Sequence, residues 1–251
     1  MYGELIIYKA LAELRAEAAR TYLSFAWWIL EPLMTMAVFY VVFGLFLQGR
    51  QPDFVPFLLV GLLFWNGFAN TVQHGAGALL DNGPLMLQTY LPKWVLPLIV
   101  VVMDGIKFAL VFLLLLVLLW CYGLVPTRAY WALPVLLGLW ALWTVSATML
   151  AAALTPFLPD LRLLIASVLQ LMFFASGVFF SADSLPPVYR PWFYANPMAA
   201  LLEALRRVLM KGQWPDWAHL WPVALESAGL MLFACYLLWR WDRLYPKLIG
   251  G

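Results

Sequence analysis

Long apolar runs recur along this chain, and each is about as long as a lipid bilayer is thick. Residues 94–122 include "FALVFLLLLVLLW" and carry only two charged side chains in 29 positions. As an α-helix, a run of this length covers the roughly 30 Å of the hydrocarbon core. In the whole chain 11% of residues are charged, against about 25% in soluble domains. The sequence therefore predicts an integral membrane protein.

Six runs have the length of a membrane span, which predicts an all-α integral membrane protein with six transmembrane helices. They occupy residues 27–47, 54–80, 94–122, 130–154, 161–180 and 217–241, within one domain of residues 25–251. An even number of spans places both termini on one side of the membrane. Eight Lys and Arg residues fall on that side and six on the other. This excess favours cytoplasmic termini.

Residues 1–24 precede the spans and have the pattern of an amphipathic helix. Apolar side chains recur at steps of three or four residues, at Ile7, Leu11, Leu14, Ala18 and Tyr22. Charged side chains occupy the rest of the helix surface. The pattern predicts an N-terminal helix in the membrane interface. A solvated extension of the first span is the alternative.

The segment between spans five and six, residues 182–212, combines prolines with aromatic side chains. Its four prolines within twelve residues, Pro186, Pro187, Pro191 and Pro197, exclude a continuous spanning helix. The stretch "VYRPWFY" is too apolar for an ordinary solvated loop. Irregular backbone enters a membrane only where protein or a wet cavity satisfies its polar groups. We expect an external re-entrant segment, followed by a helix over residues 198–211.

Polar side chains inside the spans are few. Asp104 and Lys107 are three residues apart on the third span, so they can form an intramembrane charge pair on one helix face. A structural pair is favoured over a gating role. A polar stripe on the second span consists of Asn66, Asn70, Gln73 and His74. Hydrogen bonds between helices are favoured for this stripe over the lining of a lumen.

The motifs of catalysis and cofactor binding are missing from the sequence. Neither GxxxxGK[ST] nor GxGxxG occurs, so any ATP must bind to another chain. Cys121 and Cys235 have no Cys or His at metal-ligand spacing, and no metal site is predicted. A net charge of +2 gives no indication of nucleic acid. The best polar cluster, Glu203 with Arg206 and Arg207, equally suits a surface ion pair, which disfavours a membrane enzyme.

Aromatic residues are abundant, with 14 Trp, 11 Tyr and 17 Phe. Many lie at span ends, where aromatic side chains anchor helices at the membrane interface. Others lie deeper in the spans: Tyr40, Trp65, Trp140, Trp143, Phe173 and Phe174. Flat aromatic faces can stack on the apolar faces of sugar rings, which suits a polymer pathway. Packing in the protein core is the alternative for each of them.

Several segments resemble the permease subunits of bacterial ABC exporters for capsular polysaccharide, O-antigen and teichoic acid. The letters WILEP at 28–32 match that family's Trp-x-Leu-Glu-Pro pattern at its first span. The stretch "FLLVGLLFWNGFANTVQHGAGALLDNGPLM" resembles the family's second span and the loop after it. "FFASGVFFSADSLPP" and "YANPMAALLEALRRVLMKG" are similar to its external segment and the helix that follows. "FLPDLR" looks like the Phe-Pro-Glu version of the capsule branch.

This resemblance implies the transmembrane subunit of an ATP-driven exporter of a cell-surface polysaccharide, either capsular or a lipid-linked O-antigen type glycan. The chain would be a homodimer in the bacterial cytoplasmic (inner) membrane, with both termini cytoplasmic. A separate homodimer of ABC ATPase would bind ATP and Mg²⁺, so this chain needs no cofactor. Its other partners would be membrane lipid, the glycan and export proteins of the periplasm and outer membrane. The alternative is an ABC exporter permease for a small lipid or drug.

The resemblance also implies a cytoplasmic coupling helix that docks on the ATPase, within residues 81–93. Its residues are Asp81, Asn82, Pro84, Leu85, Leu87, Tyr90 and Lys93. We expect Asp81 and Asn82 to cap this helix, with Pro84 in its first turn. The apolar side chains, including Met86, are expected to form an exposed face for the partner.

The family's translocation pathway lies between the two permease copies, mainly along spans one and five. Carried over to this chain, the implied pathway residues in the spans are Trp28, Tyr40, Phe173 and Phe174. Those in the external segment are Tyr189, Trp192 and Tyr194.

Overall fold

The computed structural model describes residues 2–19, 26–39, 41–42, 53–88 and 91–250, and these residues contain helices and turns but no strand. The predicted all-α membrane class is confirmed. The helices are α1 (Tyr2–Ala19), α2 (Trp27–Phe39), α3 (Phe54–Asp81), α4 (Gly83–Gln88), α5 (Val95–Cys121), α6 (Leu133–Leu154), α7 (Leu161–Ala175), α8 (Arg190–Tyr194), α9 (Pro197–Leu209), α10 (Leu220–Arg240) and α11 (Tyr245–Gly250).

Four helical stretches of the described chain are long and apolar enough to cross a membrane. They are Phe54–Asp81, Val95–Cys121, Arg128–Leu154 and Trp217–Arg240, at or near four of the predicted spans. The predicted fifth span is shorter than expected and ends at Ala175 rather than at residue 180. Gly177 follows it with φ +70°, a left-handed conformation that commonly ends helices. The helix of the first span is described through Phe39, and residues 40 and 43–47 of its prediction lie outside the described residues.

Helix α3 forms the centre of the bundle and packs against α5, α6, α7 and α9. The ring of Phe64 on α3 lies 5.3 Å from that of Phe108 on α5 and 5.6 Å from that of Trp140 on α6. The indole nitrogen of Trp140 also donates a hydrogen bond to the carbonyl of Phe64, at 3.2 Å. Trp65 is buried in the same cluster. Core packing is therefore the role of Trp65 and Trp140.

Both ends of the chain lie at the end of the bundle where α3 and α6 finish. The ring of Tyr2 is 5.8 Å from that of Trp94, at the start of α5. The hydroxyl of Tyr245 donates to the carbonyl of Ala153 near the end of α6, at 3.1 Å. Segment 81–93 is at this end as well, whereas α9 packs near the start of α3. An even number of crossings requires such an arrangement.

Helix α1 packs along the first half of α5, from Tyr2 beside Trp94 to Glu17 beside Lys107. The residues that it buries are Ile6, Ala10, Leu14 and Ala18. Of the predicted apolar face, Leu14 and Ala18 are buried against the bundle, while Ile7 and Leu11 are 55% and 41% exposed. Both rows are apolar, and the row with four-residue spacing and small alanines allows the closer approach to α5. The interfacial position of α1 stays a prediction.

The external segment has the broken backbone that its prolines predict. Residues 182–194 form two short 3-10 turns, Ala182–Ser184 and Pro187–Tyr189, and the single turn of α8. Helix α9 then begins at Pro197, and all its residues except Arg207 are buried. This buried helix lies among α3, α6, α8 and α10.

Candidate functional site

A polar cavity of about 460 Å³ lies where α1, α2, α3 and α5 meet. Helix α3 contributes Asn66, Asn70 and His74 to its wall. The other walls carry charged and aromatic side chains, which are Asp104 and Lys107 of α5, Trp28 of α2 and Glu17 of α1. Such a concentration of polar groups is rare between membrane-length helices and marks a candidate functional site.

The charged groups of the polar cavity form a chain of contacts across three helices. The ammonium of Lys107 lies 2.7 and 2.8 Å from the two carboxylate oxygens of Glu17. The imidazole Nδ1 of His74 donates to the carboxylate Oδ2 of Asp104 at 2.9 Å. The predicted Asp104–Lys107 contact is longer, at 4.0 Å. Each member of the predicted pair thus has a closer partner elsewhere.

The role of Glu17 could not be inferred from its position in the sequence. It lies 90 residues before Lys107 and on a different helix. Within α1 it is one of several charged residues. Only the packing of α1 along α5 brings the carboxylate to the cavity.

The polar stripe of α3 is divided between two roles. His74 makes the predicted hydrogen bond between helices. For Asn66 and Asn70 no hydrogen bond to another helix occurs within the described part of the chain, and both side chains are exposed to the cavity. The alternative, the lining of a polar lumen, fits these two residues.

The predicted pathway residues lie at separate places. Trp28 lines the polar cavity. Phe173 packs its ring 5.9 Å from that of Trp65, while its neighbour Phe174 is exposed on α7. Tyr40 lies outside the described residues. The pathway role of these residues stays a prediction.

The aromatic side chains of the external segment lie at a second cleft and on the surface around it. Tyr194 stacks on His219, with ring centroids 3.8 Å apart and planes inclined by 3°. Both line a cleft of about 580 Å³ at the junction of α8 and α10. Tyr189 and Trp192 are exposed. Burial raises the pKa of the Tyr194 hydroxyl, and the Glu203 carboxylate raises it further, so the phenol is neutral at physiological pH.

In segment 81–93, Asp81 and Asn82 belong to the end of α3 rather than to the start of α4. The carboxylate of Asp81 pairs with the guanidinium of Arg162 at 2.8 Å. The side-chain amide of Asn82 donates to the carbonyl of Ala78, at 2.9 Å. The prediction that these residues cap α4 was wrong, because α3 runs on through Asp81, whose carboxylate pairs with Arg162, and the Asn82 amide binds a carbonyl in the last turn of α3.

Helix α4 is partly built into the protein. Pro84 is exposed, but Met86 is only 5% exposed and packs in a cluster with side chains of α1, α3 and α5. The expected exposed face was therefore wrong for Met86. Lys93 is buried and donates from Nζ to the carbonyl of Leu91 at 2.8 Å. The side chains of Leu85 and Leu87, and all of Tyr90, lie outside the described residues.

Helix α9 is fixed at its start by a cap. The side-chain oxygen of Asn196 accepts from the backbone N–H of Met198 at 3.0 Å. Its side-chain nitrogen donates to the hydroxyl of Ser176, at 2.9 Å. Pro197 occupies the first turn, where a missing N–H costs nothing.

Arg206 fastens α9 to two neighbouring helix ends. Its guanidinium donates to the carbonyls of Gly177 at 2.7 Å, Val178 at 2.8 Å and Phe57 at 3.2 Å. The Phe57 ring lies 3.4 Å below it. Burial lowers the pKa of Arg206 to about 9, while the Glu203 carboxylate acts in the opposite direction. The guanidinium therefore remains charged at neutral pH.

The expectation of a surface ion pair around Glu203 was wrong for Arg206, which is 2% exposed and binds carbonyls. Glu203 instead lies 3.8 Å from Lys211. A sequence signal for the close contact existed in Gly61 of α3. A Cβ at that position would overlap Nη2 of Arg206.

A bundle of membrane-length helices around a polar cavity defines a multi-pass membrane protein. The chain belongs to the ABC-2 type transporter family, which matches residues 12–210. It is therefore a membrane subunit that works in transport rather than catalysis, as predicted.

Similar proteins cover most of the chain. The O-antigen export system permease protein RfbA of Myxococcus xanthus is 31% identical over 92% of this chain and 89% of its own length. A protein of the same name from Klebsiella pneumoniae is 24% identical, over 92% of this chain and 91% of its own. The polysialic acid transport protein KpsM of Escherichia coli is 24% identical over 80% of each chain.

Proposed function

We propose that this chain is the transmembrane subunit of an ABC transporter that exports a cell-surface polysaccharide. The observation that carries the proposal is the extent of the similarity to O-antigen export permeases, which reaches 92% of the chain. Similarity to a polysialic acid transport protein covers 80%. Relatives named for glycan export favour this cargo over a small lipid or drug. Because the O-antigen relatives match more of the chain, they favour an O-antigen type glycan over the capsule branch.

The proposed assembly is a homodimer of this chain with a homodimer of ABC ATPase, in the cytoplasmic membrane of a bacterium. The bundle end formed by segment 81–93, the start of α1 and α11 would face the cytoplasm and the ATPase. The chain's lack of GxxxxGK[ST] supports a separate ATP-binding subunit. Membrane lipid and export proteins of the outer envelope complete the expected partners.

The packing of α4 supports a route by which ATP hydrolysis reaches the spans. Met86 shares one apolar cluster with Ile6 and Ala10 of α1, Leu79 of α3 and Val95 of α5. Close-packed side chains transmit displacement, because a gap or an overlap between them is costly. A movement of α4 imposed by the ATPase would therefore shift α1 together with the adjoining ends of α3 and α5. These same three helices contribute walls of the polar cavity.

Deletion of this chain from its bacterium tests the cargo. We expect surface glycan to disappear and lipid-linked glycan to accumulate inside the cell, with a plasmid copy restoring export. An intact surface glycan, with an altered lipid composition or drug sensitivity, would contradict the proposal and favour the small-molecule exporter.

The coupling route is tested separately with Met86→Asp, which places a charge in the cluster under α4. We expect the ATPase to copurify less or to lose its response to the permease, while Met86→Leu, which keeps an apolar side chain in the cluster, behaves as wild type. Equal ATPase copurification and activity for both variants would contradict the route through Met86.

A further inference from the structure

We propose that the polar cavity between α1, α2, α3 and α5 binds a single neutral glycosyl unit of the exported polymer. The proposal rests on the proposed function, glycan export, and adds a defined binding site inside one copy of the chain. It assigns the recognition of hydroxyl groups to Asn66 and Asn70, and the stacking surface to Trp28.

The carboxamides of Asn66 and Asn70 are the groups that call for a ligand. They are four residues apart, so they project from the same face of α3, and both are exposed to the cavity. In the described part of the chain neither has a hydrogen-bond partner. Each carboxamide offers one acceptor oxygen and two N–H donors. Polar groups left without partners at membrane depth are costly, so water or a hydrogen-bonding ligand must occupy this space.

The charges of the cavity wall indicate that the ligand is neutral. The ammonium of Lys107 is held by both carboxylate oxygens of Glu17. The carboxylate of Asp104 accepts from His74. Among the described lining residues, every ionisable group thus has a partner of opposite charge or a hydrogen-bond partner. A phosphate or carboxylate ligand would have to displace Glu17 from Lys107, whereas hydroxyl groups, which both donate and accept, match the free carboxamides without breaking an ion pair.

The aromatic wall and the volume of the cavity suit a sugar ring. Trp28 lies in the wall with Lys107 Nζ 5.4 Å from its ring centroid. An indole offers an apolar face with a polar edge, which suits a ring whose own faces are apolar and whose edges carry hydroxyl groups. The volume of about 460 Å³ is within the range of roughly 300–1,000 Å³ typical of small-ligand sites. This is room for one glycosyl unit at a time, and not for a folded polymer.

A photo-crosslinker tests the occupant in the intact transporter. Benzoylphenylalanine is incorporated at Asn70 in the full chain, expressed with its ATPase in the glycan-producing bacterium, and the purified adduct is probed with a lectin or a sugar stain. Leu113, an exposed apolar residue elsewhere on α5, is the matched control position. We expect glycan adducts from position 70 and none from position 113. Adducts of phospholipid alone at position 70, or no adduct with glycan, would overturn the proposal.

Side-chain variants test the recognition without a bulky probe. Asn66→Leu with Asn70→Leu removes both carboxamides, and Asn66→Gln with Asn70→Gln keeps them. If each amide contributes one ordinary hydrogen bond, glycan export per folded transporter falls about fivefold for each, or about 25-fold for the Leu pair. The Gln pair should retain most of the export. Full export by the Leu pair would overturn the proposal.

The proposed function, glycan export, and the proposed glycan site in the cavity can be tested separately. A deletion strain that keeps its surface glycan shows that the proposed function is wrong and removes the basis of this site as well. A deletion strain that loses its glycan, together with a Leu pair that exports normally, removes the site alone. Export is normalised to the chain recovered with its ATPase, so a folding defect is not counted as a transport defect.

Discussion

Helix α9 and the polar cavity each contain a cation within the helical bundle, and the two are held in different ways. Arg206 on α9 is 2% exposed, and its donors meet three backbone carbonyls. Lys107 in the cavity has a side chain that is 21% exposed and meets the carboxylate of Glu17 on another helix. Next to Lys107, the carboxamides of Asn66 and Asn70 face the cavity.

The two cations differ in the polar groups that they satisfy. The carbonyls of Gly177 and Val178 lie just after the end of α7, where backbone C=O groups lack intrahelical donors, and Arg206 supplies those donors. The carbonyl of Phe57, in the first turn of α3, accepts from Arg206 as an additional donor. Arg206 therefore stabilises the contact of α9 with the end of α7 and the start of α3. Beside the Lys107–Glu17 ion pair, the carboxamides of Asn66 and Asn70 have no hydrogen-bond partner within the described part of the chain. We expect substitutions around α9 to alter folding, and substitutions in the cavity to alter transport.

Arg206→Met gives the largest expected effect. The substitution leaves the buried carbonyls of Gly177 and Val178 without these donors and fills the space with an apolar side chain. Each buried acceptor left unsatisfied costs about 1–3 kcal/mol, or about 2–6 kcal/mol for the two. We expect little monodisperse protein and a strongly lowered melting temperature in fluorescence-detected size exclusion.

Arg207→Met is the matched control, since Arg207 is the one residue of α9 that is not buried. It should melt within a few degrees of wild type. Equal losses for the two variants would mean that burial of the guanidinium at 206 has no special role.

Gly61→Ala tests the same region with one added methyl group. Its Cβ would overlap Arg206 Nη2 and lie 3.1 Å from the Val178 carbonyl oxygen, so the added atom displaces the guanidinium from its acceptors. Overpacking of this kind costs about 1–3 kcal/mol. In Gly138→Ala, on α6, the Cβ meets nothing within 4 Å, and higher helix propensity should stabilise that variant by up to about 1 kcal/mol. Opposite signs in thermal unfolding are expected, and destabilisation by Gly138→Ala alone would contradict the packing around Arg206.

The sequence predicted the membrane class because a span is recognised from the mean hydropathy of some twenty residues. A few polar side chains change that mean very little. It predicted the broken external backbone because proline acts locally. It did not predict the partners of Arg206, one of which is 149 residues away, or the pairing of Lys107 with Glu17 across 90 residues. On α1, the rows containing Ile6 and Ile7 are both apolar, and periodicity alone does not decide which faces α5 and which faces outward.

The Lys107–Glu17 ion pair has a smaller expected effect than the α9 contacts, because the Glu17 side chain is 45% exposed. Partly exposed pairs contribute roughly 0–1 kcal/mol. A double-mutant cycle measures this pair, with the variants Lys107→Met, Glu17→Gln and both together. Once one substitution has broken the pair, the other should lower the stability of the α1–α5 contact very little. Hydrogen exchange of α1 is the measurement, and it should increase in both single variants.

Lys9→Met removes an ion pair within α1 itself, where Lys9 and Glu13 are 2.8 Å apart, and serves as the control. It should leave the contact between α1 and α5 unchanged. If α1 exchanges equally fast in Lys9→Met and Lys107→Met, the pair with Glu17 does not hold α1 to α5.

The smallest effect on stability is expected for Asn66→Leu with Asn70→Leu. These carboxamides have no partner within the described residues, so their removal breaks no hydrogen bond among those residues and should change the melting temperature by no more than a few degrees. Surface substitutions away from packed features usually fall within about 0.5 kcal/mol. A loss of stability as large as that of Gly61→Ala would show that the carboxamides serve the fold.

The central claim, export of a glycan driven by a partner ATPase, is tested most directly in proteoliposomes that contain this chain and its copurified ABC ATPase. Lipid-linked glycan from the same bacterium is supplied on the ATPase side, and glycan protected from an added glycosidase is measured over time. We expect protected glycan with ATP and none with a non-hydrolysable analogue or without the ATPase. Protected glycan that accumulates equally in the absence of ATP hydrolysis, or no protected glycan from an active complex, would contradict this claim.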